Sequence, residues 1–180
     1  MTEYEKKYAN FLYKFSKIIR DYQINNYSKI VFLCIGTSSV VGDSFGPLVG
    51  KKLKEKIKKQ NILVLGDLKD NISALNIEKR VNNIKEKCSN PLIIAIDAAL
   101  SRKEDIGKIK VYPYGIKIRN ALEKNENKIG NLSIKAIVAN DNKESIENYQ
   151  ELKNTPLSRI EYLSQITADG INTVINDSNV

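Results

Sequence analysis

The sequence predicts an α/β fold, in which a mainly parallel sheet is covered by helices on both faces. Three short apolar runs have the length and β-branched composition of strands buried on both faces; they are Ile30–Ile35, Asn61–Leu65 and Pro91–Ile96. Segments with helical periodicity separate these runs. Strands that alternate with helices form βαβ units, whose right-handed crossovers produce a parallel sheet between two helical layers.

The N-terminal segment predicts a helix within residues 1–25. Its apolar side chains recur at spacings of four and three, which places them on one helix face; they are Tyr4, Tyr8, Phe11, Phe15, Ile18 and Tyr22. We expect this face to pack on the core of the domain. A stripe that forms a homodimer or binds a partner is the alternative.

Capping residues and apolar patterning predict two more helices and two more strands; they are a helix from Asp43 or Ser44 to Lys59, a helix over Ser73–Lys87 with Ser73 as its N-cap, a strand over 107–112 and a strand over Leu132–Ala139. A closing helix over 156–175 follows, with Thr155 as its cap and Pro156 in its first position. The 180-residue chain has no internal repeat or linker, so a single α/β domain, 1–180, is expected.

The chain contains no histidine, and this restricts the chemistry available to it. Neither a Ser-His-Asp nor a Cys-His arrangement can be built, and a histidine-ligated zinc or nickel centre is excluded. Proton transfer near neutral pH must then use Asp, Glu, Lys, Tyr or Cys. The two cysteines, Cys34 and Cys88, lack metal-type or redox-type spacing and are expected to be reduced structural thiols.

The hydropathy of the sequence predicts where the protein is located. No stretch approaches the roughly 20 apolar residues that cross a bilayer. Lys14 and Lys17 interrupt the apolar positions near the N-terminus, so no secretory signal is predicted. We therefore expect a cytoplasmic protein without a membrane partner.

The net charge of +8 raises the question of nucleic-acid binding. Much of this charge is a lysine run that surrounds Leu53 and Ile57; it comprises Lys51, Lys52, Lys54, Lys56, Lys58 and Lys59. The four-residue spacing of the two apolar residues indicates that the lysines form the solvated side of an amphipathic helix. No aromatic residue interleaves the run, as a base-stacking surface would require, so nucleic acid is not the expected partner.

Three acidic residues follow the predicted strands at the edge where open α/β sheets bind ligands. Asp43 follows the first strand after a short loop, Asp67 follows the second, and Asp97 directly follows the third. Purely structural roles are open for them: Asp43 lies where a helix N-cap is expected, and Asp97 could bond a neighbouring backbone amide.

Two carboxylates held close together cannot both ionise easily, so the pKa of one rises while the other stays low. Asp43 and Asp97 as such a pair could activate a water molecule and return a proton to a leaving amine, without histidine and without a cofactor. The same pair could instead hold a divalent cation such as magnesium together with water and backbone ligands.

The loop after the first strand contains glycines but is not a nucleotide-binding motif. It lacks the Lys-Ser/Thr ending of a P-loop, and its glycine spacing does not fit dinucleotide binding. Gly46 and Gly50 lie four apart, on one helix face, where they would let the helix approach the sheet closely. Pro47 fits only in the first turn of that helix.

Two segments resemble a known family. Gly36-Thr37, followed by Gly42-Asp43-Ser44-Phe45-Gly46-Pro47-Leu48-Val49-Gly50, and Ile94-Ala95-Ile96-Asp97-Ala98 resemble the signatures of YyaC-type sporulation proteins, regarded as candidate spore proteases. The resemblance spans roughly residues 30–175. That family is similar to germination protease and to hydrogenase maturation endopeptidases, and this implies a three-layer α/β/α sandwich with a mixed, twisted sheet.

The resemblance also implies a function. It makes Asp43 and Asp97 the candidate catalytic residues of a peptidase that acts in sporulation or germination, in the mother cell or forespore, on a peptide or spore protein. Further candidates for substrate binding are Thr37, Gly42, Ser44 and Asp67. A hydrogenase maturation role is disfavoured, because that branch uses a histidine in nickel recognition.

The chain departs from the family at Ser38-Ser39-Val40-Val41, where polar and charged residues are usual, and in the segment Tyr112–Lys117, where a glycine-rich loop is usual. These departures motivate an alternative function. The chain would then be a non-catalytic sporulation factor that keeps the protease-like fold and binds a peptide or protein partner.

Overall fold

A computed structural model describes residues 1–118 and 127–177 of the chain. The expected single domain, 1–180, also includes residues 119–126 and 178–180, which lie outside the described residues. Among the described residues, no helix is both long and apolar enough to cross a membrane.

The described residues form seven strands: β1 (Lys29–Cys34), β2 (Ile62–Leu65), β3 (Pro91–Ser101), β4 (Ile109–Tyr112), β5 (Ile116–Ile118), β6 (Asn127–Ile129) and β7 (Leu132–Asn140). Five of them form a central sheet with the order β2-β1-β3-β7-β4, and β5 and β6 form a separate antiparallel hairpin. Within the central sheet only β4 runs antiparallel to its neighbour, β7.

Five α-helices surround the sheet in the described residues: α1 (Glu3–Asp21), α2 (Phe45–Lys56), α3 (Ile77–Lys87), α4 (Ser145–Lys153) and α5 (Leu157–Asp177). Helices α1, α2 and α5 share one apolar core with one face of the sheet. Helix α3 and the β5–β6 hairpin share a second core with the other face. The predicted three-layer α/β/α sandwich with a mixed sheet is therefore confirmed.

The N-terminal helix packs on the domain, mainly against α5. The rings of Phe11 and Phe15 are fully buried, and Gly170 of α5 lies against the Phe11 ring. Asp169 connects three helices, because it accepts a hydrogen bond from the Tyr4 hydroxyl and forms a 3.1 Å ion pair with Lys56 of α2. These contacts use the aromatic face of α1 inside the domain.

Several predicted boundaries were wrong, each for a local reason. Helix α2 ends at Lys56 and not at Lys59, because the backbone turns extended at Ile57. Helix α3 begins at Ile77, since Ser73 belongs to a turn in which its amide donates to the Asn76 side chain. Thr155 does not cap α5 with its side chain; its hydroxyl donates to the carbonyl oxygen of Glu151 in α4.

The sequence patterns also missed several elements. Helix α4 is short and has no fully buried residue; of its three apolar residues, Ile146 and Tyr149 are exposed and only Leu152 packs against the core, so its sequence gives a weak helical signal. The three-residue strands β5 and β6 are too short for an alternating pattern. Strand β3 continues to Ser101, beyond the predicted end at Ile96, because β7 remains paired with it over that length.

Helix α2 lies unusually close to the sheet edge, as the glycine spacing predicted. A Cβ at residue 46 would lie 2.0 Å from the carbonyl oxygen of Ile35, and one at residue 50 would lie 1.9 Å from that of Gly66. Pro47 is the third residue of the helix, within its first turn, where its missing amide hydrogen is tolerated. Any side chain at 46 or 50 would push the helix away.

Gly46→Ala is expected to lower the free energy of unfolding by about 3 kcal/mol, or to prevent folding, since overpacking against a fixed backbone is costly. Urea denaturation measures the effect. Lys51→Ala, at an exposed position of the same helix, is the control and should change stability by less than about 0.5 kcal/mol. Equal stability of both variants would contradict the close approach.

Candidate active site

The candidate site lies where β1 ends and the chain turns back over the sheet. Gly36 makes this turn possible: its φ of +137° suits glycine, and a Cβ there would lie 2.0 Å from the carbonyl oxygen of Asp43. The Gly36 amide donates to the carbonyl oxygen of Ile72, which ties the loop to the segment after β2. The loop is thus held from two sides.

Asp43 lies in a short 3-10 turn, Gly42–Ser44, that precedes α2. Its Oδ2 accepts a 2.8 Å hydrogen bond from the backbone amide of Thr37. The carboxylate therefore closes the loop and does not cap α2. This bond fixes the direction in which the carboxylate faces.

Asp97 lies inside β3, and on the sheet face that carries Ile93 and Ala95, because side chains of a strand alternate. The turn that carries Asp43 contacts β3. Desolvation, and next the negative charge of Asp43, raise the pKa of the half-buried Asp97 to about 7, while Lys135 and the Ala98 amide act in the opposite direction. The structure thus brings Asp43 and Asp97 into electrostatic contact.

The neighbouring site candidates shape the loop. Ser44 is 5% exposed, and its hydroxyl donates to the carbonyl oxygen of Val41. Gly42 is buried against Leu152 of α4, where a Cβ would lie 2.8 Å from the leucine. Thr37 is half-buried, and its hydroxyl lies 3.1 Å from that of Ser39. Their positions support the loop that holds Asp43.

Asp67 has partners of its own. It forms a 2.5 Å ion pair with Lys54 of α2, and its other oxygen accepts the amides of Lys69 and Asp70. The hydrogen bonds from Lys54 and the Asp70 amide hold the pKa of Asp67 down at about 2, against the opposing effect of burial. The carboxylate is therefore engaged in a turn and a helix contact.

Sequence reasoning missed two residues that border the site. Asn71 accepts a hydrogen bond from the Ser38 amide and so fastens the loop after β1. Lys135 is the register partner of Asp97 on β7. The only signal for Lys135 in the sequence was a single charged residue inside an apolar strand, and nothing local connected it with Asp97.

The lysine run on α2 is largely engaged within the domain. Lys52 donates to the Gln165 side chain, Lys54 pairs with Asp67, and Lys56 pairs with Asp169. Lys58 donates to the carbonyl oxygen of Lys54 at 2.6 Å. The two ion pairs, of Lys54 and Lys56, compensate part of the positive charge of this helix.

The fold is similar to that of a protease of known structure. The [NiFe] hydrogenase maturation protease HycI from Thermococcus kodakarensis KOD1 superimposes with a TM-score of 0.57 over 85% of this chain and 96% of HycI, at 19% identity. At that identity the likeness shows the fold alone.

Sequence comparison gives the family. Residues 2–170 match the family described as protein of unknown function (DUF1256), and the chain belongs to that family. The chain is also 34% identical to the protein YyaC of Bacillus subtilis (strain 168) over 142 residues, which are 79% of this chain and 67% of YyaC. The resemblance to YyaC-type proteins is thereby confirmed.

A histidine-ligated nickel centre cannot form in this chain, because the sequence has no histidine. The part of the chain that the structure describes contains no cluster of three or more cysteine, aspartate or glutamate side chains that could hold a metal ion.

The carboxyl group of Asp97 is expected to titrate near pH 7, about three pH units above an ordinary aspartate. Carbon-13 NMR of the labelled side chain measures this directly. In Asp43→Asn, the titration should move to lower pH, because a repelling negative charge is removed. A midpoint near 4 in the unmodified protein would contradict the desolvation of Asp97, and an unchanged midpoint in Asp43→Asn would contradict the pairing of the two aspartates.

Asp67→Asn is expected to destabilise the fold by about 1 kcal/mol at pH 7, since the ion pair is partly exposed. The folded pKa lies below the ordinary value of 3.8, so the stabilisation is present above pH 4 and is lost as the pH falls towards 2. Denaturation of both proteins from pH 7 to pH 2 checks this. A difference that stays constant over this range would contradict the role of the Asp67 charge.

Proposed function

We propose that this protein is a peptidase in which Asp43 and Asp97 act as an acid–base pair on water. The observation that carries the proposal is the half-buried Asp97 beside Asp43, with a pKa of about 7. A carboxyl group that exchanges its proton near neutral pH is suited to general acid–base catalysis. Strongly perturbed carboxyl groups at the carboxyl ends of parallel strands are typical of active sites.

The proposed reaction needs one ionised and one protonated carboxyl group. The Asp43 carboxylate, oriented by the Thr37 amide, accepts a proton from water through Oδ1. The water oxygen bonds to the carbonyl carbon of the peptide, while protonated Asp97 donates to the carbonyl oxygen. As the C–N bond of the resulting gem-diol breaks, the proton held by Asp43 passes to the leaving amine, and one hydroxyl group of the gem-diol returns its proton to Asp97, which leaves a carboxylic acid and a free amine.

The substrate is a polypeptide that reaches the loop after β1. Ser38 and Ser39 are exposed there, and Thr37 lies beside them, so this segment offers hydrogen-bonding groups at the rim of the site. Gly42 and Ser44 are buried and fix the shape of this loop. The resemblance to sporulation proteins supports a role in sporulation or germination, in the cytoplasm of the mother cell or forespore.

Asp43→Asn and Asp97→Asn are each expected to reduce cleavage at least 100-fold, since each removes one proton-transfer group. The purified full-length chain is incubated with a proteome-derived peptide library, and new peptide termini are identified by mass spectrometry. Asp141→Asn is the matched control: it makes the same change at an exposed aspartate directly after β7 and should retain activity. Cleavage is also expected to persist in EDTA, because the proposed steps need no metal.

Two results would overturn this function. One is the absence of cleavage by the unmodified protein. The other is equal activity in all three variants, which would point to a contaminating protease. If the chain captures peptides from the library without cutting them, and does so equally in both site variants, the non-catalytic sporulation factor is the better description.

A further inference from the structure

One ammonium group faces the aspartate pair from the neighbouring strand. Lys135 is the only charged residue of β7, it is half-buried, and its strand neighbours Ile134 and Ala136 are fully buried. It is the register partner of Asp97 in a parallel pair. Register partners on adjacent strands point to the same face, with their backbones about 4.8 Å apart. The Lys135 side chain therefore lies beside that of Asp97, on the same face of the sheet.

The next lysine across the sheet, on β4, is paired with a different carboxylate. Lys110 of β4 is the register partner of Lys135 on the other side of β7. Its Nζ donates to Asp105 at 2.9 Å, and Asp105 also pairs with Lys108 at 2.6 Å. The charge of Lys110 is thus balanced at the edge of the sheet, whereas the charge of Lys135 acts on Asp97.

A lysine at this place has a cost that an apolar residue would avoid. Taking an ammonium group partly out of water is unfavourable unless an opposite charge compensates it. The surrounding strand is apolar, so an isoleucine or valine would pack well at position 135. The acidic residue beside Lys135 in the sheet is Asp97, which indicates that the lysine serves the site.

We propose that Lys135 is a positioning residue of the aspartate pair, whose ammonium group compensates part of the pair's negative charge and so keeps Asp97 able to exchange its proton. Its consequence for catalysis rests on the proposed peptidase function. The charge balance is a property of the folded chain and can be tested without a substrate.

The test is the NMR titration of the Asp97 carboxyl carbon in matched variants. Lys135→Met is expected to raise the pKa of Asp97 by roughly 0.5 to 1, because a nearby positive charge is lost. Lys135→Arg keeps the charge and should leave the pKa within about 0.3 of the starting value. If Lys135→Met does not fold, Lys135→Gln makes the same charge change with a polar side chain.

Lys29→Met is the control for substitution of a half-buried strand lysine. Lys29 pairs with Pro91 at the start of β1, six residues before Asp97 along β3 and so about 20 Å away. It should not move the titration of Asp97. The proposal is overturned if Lys135→Met leaves the pKa of Asp97 unchanged, or if Lys29→Met raises it equally.

Activity measurements separate this proposal from the peptidase function. In the peptide-library assay, Lys135→Met should shift the pH profile of cleavage to higher pH. Lys135→Arg should keep the pH profile of the unmodified protein. If no variant cleaves, the titration still decides the role of Lys135 while the peptidase function fails. If cleavage occurs and its pH dependence is the same in Lys135→Met, the peptidase function stands and the role of Lys135 fails.

Discussion

The close approach of α2 to the strand ends is the constraint on which the rest of the site depends. Gly46 and Gly50 bring the helix backbone against the carbonyl groups of Ile35 and Gly66. With the helix at that distance, the loop between β1 and α2 must turn sharply at Gly36 and return over β3. This return places Asp43 beside Asp97. A larger side chain at any of these glycines would open the loop and separate the two carboxylates.

Three aspartates of this fold show how the surroundings of a carboxyl group set its pKa and its role. Asp67 and Asp105 are each met by lysine ammonium groups, which hold their pKa values low and make them parts of the framework. Asp97 is desolvated beside a like charge, and its pKa rises to about 7. The stability of the folded state therefore falls as the pH rises from 3.8 to 7, because the unfolded chain releases the Asp97 proton more readily than the folded chain. A fold retains such a cost where function requires it.

The likeness to HycI concerns the architecture, and the chemistry of the two sites is a separate matter. This chain has no histidine, and its described residues contain no cluster of metal ligands. Function is carried by the side chains placed on a fold and can change while the fold stays.

The sequence by itself determined the layered α/β architecture, because buried parallel strands and amphipathic helices carry periodic apolar patterns. It also determined the role of Gly46 and Gly50 and the candidacy of Asp43 and Asp97, which follow the apolar runs of the first and third strands. It did not reveal α4, in which a single apolar residue, Leu152, packs against the core and Gly42. Only the tertiary structure decided that Asp43 fastens the Thr37 amide, that Asp67 is engaged with Lys54, and that Lys135 faces Asp97. Those facts depend on strand register and on contacts between distant segments, which no local pattern encodes.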